Sequence, residues 1–444
     1  MPGDPAPGLI TDTEPSPTRP AVVDGDSVDV PNIKIKHDPY AALRQRDYCL
    51  LLTGNVLAAM SAEVQFTVVE WEIFERTGSY ELMGYAGLAQ FLPLLLLALP
   101  AGQLADRFSR KHMLMIAHWT MALTSLGLMA VSLLGAAPAY IFVFLALAGV
   151  SRAIGMPARA SLIPLVVPGE MLGNAVTWSS TGFQIAMMAG PALGGLLLAL
   201  ARQPALAYGF TVIALLGCSM LTWLMRPRHS PPSSEPRNLR TLLAGIRFVW
   251  GSQLLFAAIT LDLFAVLFGG CTALLPAFAK QILDVDATGY GILRAAPAIG
   301  AFVMALVLAH RPPLAKPGRA LLWSVAGFGV TTIVFGLSEN FYLSLAMLLL
   351  TGAFDNISVV IRGTLMQILT PDAMRGRVAA VNSLFISSTN QLGAFESGMA
   401  AHWLGLVGSV VFGGCATIVV VAAAALRWRP LRRLEPLHKL KAEG

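Results

Sequence analysis

Residues 102–114 read GQLADRFSRKHML. The stretch before it, from Leu82 to Ala101, holds no charged residue, yet Asp106, Arg107, Arg110, Lys111 and His112 then crowd into a few positions. A chain that avoids charge for the length of a bilayer crossing, then packs charge into a break too short for a domain, is leaving a membrane and re-entering it. The rest of the chain repeats the pattern. Its 444 residues are 55% hydrophobic and 13% charged, a composition that ordinary soluble domains do not show.

Twelve apolar segments follow one another, centred near residues 60, 92, 122, 148, 185, 214, 265, 299, 328, 352, 388 and 415. Each is long enough for a helix to cross about 30 Å of hydrocarbon, so the sequence predicts an all-α membrane protein with twelve transmembrane helices. An even number puts both termini on one side. Of the 31 Lys and Arg residues, all but Arg76, Arg202, Lys280 and Arg294 then fall on the side of the termini, in tails, loops or adjoining helix ends. That bias marks the cytoplasmic face of a multi-pass protein, with both termini inside. It also accounts for the net charge of +6 through membrane lipids, with no nucleic-acid partner.

Composition divides the chain further. Residues 1–38 are rich in Pro, Asp and Ser without an apolar core, which reads as a disordered tail and not as a signal peptide. Residues 39–225 hold the first six spans and 253–428 the last six. Between them, 226–252 forms a linker that opens as RPRHSPPSSEPRNLR and continues as LRTLLAGIRFVWGSQ, whose pattern predicts an amphipathic helix before span seven. Residues 429–444 form a basic tail suited to anionic headgroups. Cys49, Cys218, Cys271 and Cys415 are scattered through apolar segments and read as small buried hydrophobes. His118, His310 and His402 stand alone, so no metal site or cofactor is expected.

The two sets of six spans carry an internal repeat. With a shift of 203 residues and no gap, Arg159 meets Arg362, Leu162 meets Leu365, Pro168 meets Pro371 and Gly173 meets Gly376. Ser180/Ser383, Gly190/Gly393 and Gly195/Gly398 follow in the same register. These are mostly residues that bend or closely pack backbones, so the repeat predicts two pseudo-symmetric six-helix bundles about an axis normal to the membrane.

GQLADRFSRK closely resembles the signature loop of the major facilitator superfamily. The resemblance implies that Gly102, Asp106, Arg107, Arg110 and Lys111 form a conformational latch, in which the acid engages the start of span eleven, here TPDAMRGR. A topogenic cluster explains the basic residues equally well, but not Gly102 and Asp106. MAGPALGG in span five resembles the Gly-Pro segment of antiporting exporters, with Gly190, Pro191, Gly194 and Gly195 as a packing motif or as plain tight packing. From Tyr40 onward the chain resembles the enterobactin-exporter and macrolide-efflux group. That implies proton-driven export of a small amphiphilic molecule, a siderophore or a drug-like compound, across a bacterial inner membrane by a monomer; uptake, lipid movement and a non-transporting sensor remain alternatives. Nothing in the chain gathers the groups of an enzyme's active site.

Ionisable residues within spans are costly and call for a partner or a purpose. Glu63, Asp262, Arg294, Asp355 and Glu396 meet that description. Asp262 and Asp355 lie at matching depths, about 12 Å from the inner face. Facing each other, they would repel and share a proton near neutral pH; hydrogen bonding to neighbouring helices is the bland alternative. Arg294 and Glu396 fall in the outer half and are expected to pair, as a gate or as a permanent strut. Glu63 and Gln65 are expected to face the cavity, because Arg152 lies about 12 Å shallower and is too far for a direct pair. Gln90, Gln184, Trp71, Phe91, Phe183 and Phe264 are candidates for the substrate wall, with packing or lipid contact as the alternative.

Overall fold

The computed structural model describes residues 38–228, 239–312, 316–432 and 434. Almost all of the expected 1–38 tail, residues 229–238 of the linker and most of the basic tail lie outside the described residues. The first half comprises α1 (Arg46–Thr77), α2 (Tyr80–Arg107), α3 (Arg110–Leu133), α4 (Ala139–Val166), α5 (Leu172–Ala201) and α6 (Pro204–Leu224). The second comprises α7 (Leu239–Gly251), α8 (Gln253–Phe268), α9 (Leu275–Gln281), α10 (Ala287–Ala309), α11 (Pro317–Leu337), α12 (Phe341–Leu369), α13 (Asp372–Leu404), α14 (Leu406–Arg427) and α15 (Arg429–Arg432).

Local chemistry ends and starts these helices where the sequence turns polar. Gly78 closes α1 in the left-handed region at φ 62°, with its N–H bonded to Phe74 O, and Ser79 then caps α2. Asp286 and Asn340 cap α10 and α12 through side-chain oxygens. Eleven segments of the described residues are long and apolar enough to cross a membrane. The twelfth expected crossing is α13, which has 33 residues but carries Asn382, Thr389, Asn390, Gln391 and Glu396 along its length. A helix that polar cannot face lipid on all sides and belongs against protein or water.

Two departures from expectation concern the second half. Span seven is not one helix, because Gly269 and Gly270 break it into α8, a 3-10 turn at Cys271–Leu274, and α9. Cys415 is exposed on α14, whereas Cys218 and Cys271 are buried and Cys49 is intermediate. The amphipathic α7 is present and packs Val249 against Val378 and Val381 near the start of α13.

Within the first half α1 packs on α5 and α6, α2 on α4, and α3 on α4 and α6; in the second, α10 and α11 pack on α12, while α8 and α14 pack together and on α13. The halves meet along two seams, α5 with α10 and α2 with α13. A Cβ at Gly195 would lie 2.5 Å from Ala287 O and 2.6 Å from Gly291 Cα; one at Gly398 would lie 2.7 Å from Tyr80 O and 2.9 Å from Gly84 Cα. The matched glycines of the repeat therefore make the same backbone contact in both seams, as a twofold axis requires.

Among the described residues the seams close one end. The largest hydrophobic cluster joins Val68, Ile73 and Tyr208 of the first half to Phe278, Tyr290 and Phe335 of the second. All lie toward the end remote from the start of α1 and the end of α14, called here the far end. Toward the opposite, basic end the cores separate, with Leu51, Leu114 and Leu162 in one half and Leu255, Leu321 and Leu365 in the other.

Candidate functional site

The far end is held by charge as well as by glycine. Arg294 Nη1 on α10 lies 3.1 Å from Glu70 Oε2 on α1, and Tyr290 Oη donates toward the same Glu70 oxygen at 3.0 Å. Arg294 also donates to Thr272 O at 2.8 Å. Trp71 stacks on Tyr290 with ring centroids 5.3 Å apart, and its Nε1 donates to Glu75 Oε2 at 3.0 Å. Lys280 reaches over the Trp71 ring to pair with Glu75 at 2.9 Å. Across the other seam Tyr80 Oη donates to Gln281 Oε1 at 2.6 Å, and His402 lies 2.9 Å from Glu81. Both ionic partners of Arg294 and Lys280 come from the opposite half, so opening this end must break them.

This corrects two expectations. Arg294 pairs with Glu70 and not with Glu396, because α10 packs on α5 and α12 whereas α13 packs on α2 and α8. Trp71 is 7% exposed and belongs to the far seal, not to a substrate wall.

Below the seal the same surfaces part. Gln184 lies two turns before Pro191 on α5, about 20° from it around the axis, and thus on the face that meets α10 higher up. There it lines, with Phe183, Ser180 and Ile163, an open groove of about 410 Å³. Gln184 and Phe183 accordingly keep their place as cleft candidates. Gln90 and Phe91 are 4% exposed, so neither presents a free surface; Gln90 instead accepts from Arg152 Nη1 at 2.8 Å. Gln65 is 2% exposed and accepts from Ser125 at 2.7 Å, inside the first half. Positions 63 and 65 are about 200° apart on a helix, so both could not face one cavity. Glu63 is the one set toward α5, where a Cβ at Gly190 would sit 2.5 Å from its own. Arg294 and Arg152 both lie within electrostatic reach of Glu63, but it forms no ion pair with Arg152 among the described residues.

Asp262 and Asp355 do line one small pocket, with Val325, Phe328, Phe354 and Ser358. Asp262 is not the free acid expected. It is ion-paired with Arg362 of α12 and accepts from Ser358 at 3.4 Å. Asp355, half-buried beside this pair, has no hydrogen-bond or ion-pair partner among the described residues. The mutual repulsion expected of two free carboxylates is therefore replaced by a neutralised acid next to an open one. Phe264 stacks on Phe268 at 6.2 Å and lies about 200° around α8 from Asp262, outside their pocket.

The helix-five motif divides its work. Gly190 and Gly194 admit Met60, Glu63, Val64 and Thr67 of α1, while Pro191 and Gly195 lie against Gly291 of α10. In the expected latch, Gly102 is buried; the side chains of Asp106 and Arg107 lie outside the described residues. Arg110 donates to Ser161 O at 3.4 Å, and Lys111 donates to Trp223 O at 2.7 Å and Met225 O at 2.8 Å. Both cations are thus engaged within the first half, Lys111 on the carbonyls that end α6.

Sequence reading missed Glu70 and Tyr290, took Arg159 and Arg362 only as matches of the repeat, and undervalued Arg152. Glu70 was within reach, since it follows Glu63 by two turns on a helix that continues to Thr77. Arg362 was assigned to a helix end, but α12 runs on for seven residues to Leu369.

The family described as transmembrane secretion effector matches residues 37–441. The enterobactin exporter of Citrobacter koseri is 30% identical over 353 residues, covering 78% of this chain and 82% of that protein. The enterobactin exporter of Shigella boydii is 28% identical over 358 residues, covering 78% and 83%. Among solved structures, the inward-facing, unoccupied form of a bacterial homologue of the human lysosomal transporter Spinster superposes with a TM-score of 0.66 at 15% identity, over 87% of this chain and 97% of that one. A D-xylose–proton symporter superposes with a TM-score of 0.65 at 15% identity, over 88% and 98%. At such identities the structures speak for the fold alone.

Proposed function

The chain belongs to the transmembrane secretion effector family of major facilitator transporters, which are not enzymes, and on that premise we propose that it exports a small amphiphilic molecule in exchange for protons. The names of its relatives point to a siderophore as cargo, with drug-like compounds as a second class. The observation that carries the proton step is the pocket where Asp355 stands without a partner beside the Asp262–Arg362 pair. An acid in a protein interior with no counter-charge is better tolerated when it can take up a proton, and a vacant acid next to a fixed ion pair is a site for one. Glu63, set between Arg152 and Arg294, is the second carrier.

In this reading the basic end faces the cytoplasm of a bacterial inner membrane, both termini lie there, and the described state is open inward. The Glu70–Arg294 and Lys280–Glu75 pairs are the outer gate. Gly102, Asp106, Arg107, Arg110 and Lys111 form the inner latch that engages when the basic end shuts. Single chains work independently.

Proteoliposomes with an imposed pH gradient test the proposal, with a fluorescent siderophore as cargo. Asp355→Asn is expected to lower gradient-driven accumulation at least tenfold while cargo still equilibrates. Unchanged gradient dependence in both Asp355→Asn and Glu63→Gln would remove proton exchange.

A further inference from the structure

The repeat can be carried deeper than its sequence identities. A Cβ at Gly190 would lie 2.5 Å from Glu63 Cβ and 3.1 Å from Met60 O. One at Gly393 would lie 2.9 Å from Val266 O and 3.0 Å from Leu267 O, and one at Gly270 3.1 Å from Gly393 C, so Gly270, just past α8, answers to Glu63 of α1, and Leu267 of α8 to Met60. Both helices are continuous below that point, which makes Asn55 the counterpart of Asp262. In the same way Gly149 packs on Gln90 O and Gly352 on Pro297 O, fixing α4 against α12 in the 203 register. Arg159 is therefore the counterpart of Arg362. The second half balances its buried arginine with Asp262; the first half offers Asn55 in that place.

Arg159 is left with no ion-pair partner among the described residues, and its buried Nε has no hydrogen-bond acceptor. Asn55 Oδ1 is likewise buried without a partner. His118 of α3, 4% exposed and within electrostatic reach of Arg159, has neither ring nitrogen bonded. Arg152 stands two turns above Arg159 on α4, exposed, bonded to Gln90 and within electrostatic reach of Glu63. A buried donor left unbonded beside a half-buried cation with no carboxylate partner is a place that an anion or a water can satisfy. Arg159 lies about 10 Å from the basic end of α4, the end at which the cores of the two halves are separate.

We infer that Arg159, with His118 and Arg152, forms an anion subsite that receives an acidic group, carboxylate or ionised phenol, of the transported molecule. The site rests on the export reading only for the source of that anion. Asn55 leaves the place vacant that Asp262 fills in the other half.

The test uses the full chain in detergent, with thermal unfolding followed against sodium salicylate, neutral salicylamide or chloride in a buffer free of other carboxylates. Salicylate is expected to raise the unfolding midpoint and salicylamide to leave it unmoved. Arg159→Gln should weaken the apparent salicylate affinity at least tenfold, and Arg159→Lys should keep most of it. Asn55→Asp, which installs the missing carboxylate, should abolish the salicylate shift while raising the midpoint in its absence. A salicylate shift that persists in Asn55→Asp, or that is absent from the unsubstituted protein, overturns the subsite. If Asn55→Asp fails to fold, the Gln and Lys variants decide, and equal affinity in both overturns it. Saturation by chloride alone would overturn the assignment to a cargo acid. Binding by solubilised protein needs no gradient, so failure of the export reading would leave this result standing.

Discussion

The two halves share their backbone contacts and differ in their charges. Gly195 against Gly291 and Gly398 against Gly84 repeat one seam, and Gly190 and Gly393 admit equivalent residues of α1 and α8. Yet within its spans the second half holds a paired Asp262 and an unpaired Asp355, whereas the first holds Arg152 and Arg159, with Glu63 within electrostatic reach of Arg152. Arg152 even occupies, in the 203 register, the counterpart position to Asp355. Backbone geometry sets how the halves meet, and it tolerates little change because carbonyl oxygens lie against the glycines. Side chains that line the cleft are under no such constraint, so a duplicated scaffold can place unlike charges on its two walls.

The sharpest way to break this comparison is to make the second half resemble the first. Arg362→Gln leaves Asp262 buried with only Ser358 for support, and removing one member of a buried pair costs about 3–5 kcal/mol. A large drop in thermal midpoint is expected, with much of it recovered in the double variant Asp262→Asn/Arg362→Gln. Arg159→Gln should cost far less, because no carboxylate is orphaned by it. Equal losses at the two arginines would show that both are balanced within the protein.

A second test concerns the shared part. Gly195→Leu forces a side chain against Ala287 O and Gly291, and Gly398→Leu does the same at Tyr80 and Gly84. Overpacking of this kind costs about 1–3 kcal/mol. Both variants should weaken the far-end seal and raise the reactivity of a cysteine placed at Tyr80, measured by thiol labelling. The α5–α10 seam should resist more, since Glu70–Arg294 lies beside it with Glu70 buried and Arg294 largely so, whereas His402–Glu81 is partly exposed. A greater response from Gly195→Leu than from Gly398→Leu would reverse that ranking.

What could be read from sequence follows the same division. Span positions and the repeat were legible because lipid imposes a length and a hydropathy on each helix, and because Gly195 and Gly398 must be small where backbones touch. The partner of Arg294 was not legible, since it depends on which helices adjoin. Gln65 was misplaced for want of helical phase, and the break at Gly269–Gly270 is a two-residue event inside an apolar run. Arg362 was hidden by the assumption that a helix ends where charges begin.

The smallest expected effect lies at the basic end, where the halves solve one problem by different means. Lys111 near the start of α3 sends its ammonium to the carbonyls of Trp223 and Met225, closing the end of α6. Position 318 holds the matching place near the start of α11, and there Gly318 lets the helix lie directly against the Leu431 carbonyl. A side chain that caps from a distance can be lost for the value of its hydrogen bonds, which for a charged donor is about 1.5–3 kcal/mol at most and less where water replaces it. Lys111→Met should therefore lower the unfolding midpoint by only a few degrees, so that any larger loss of transport measures the share of Lys111 in the proposed latch, and unchanged transport leaves it a cap alone. If transport collapses while the midpoint holds, Lys111 acts in the latch as well as in the cap.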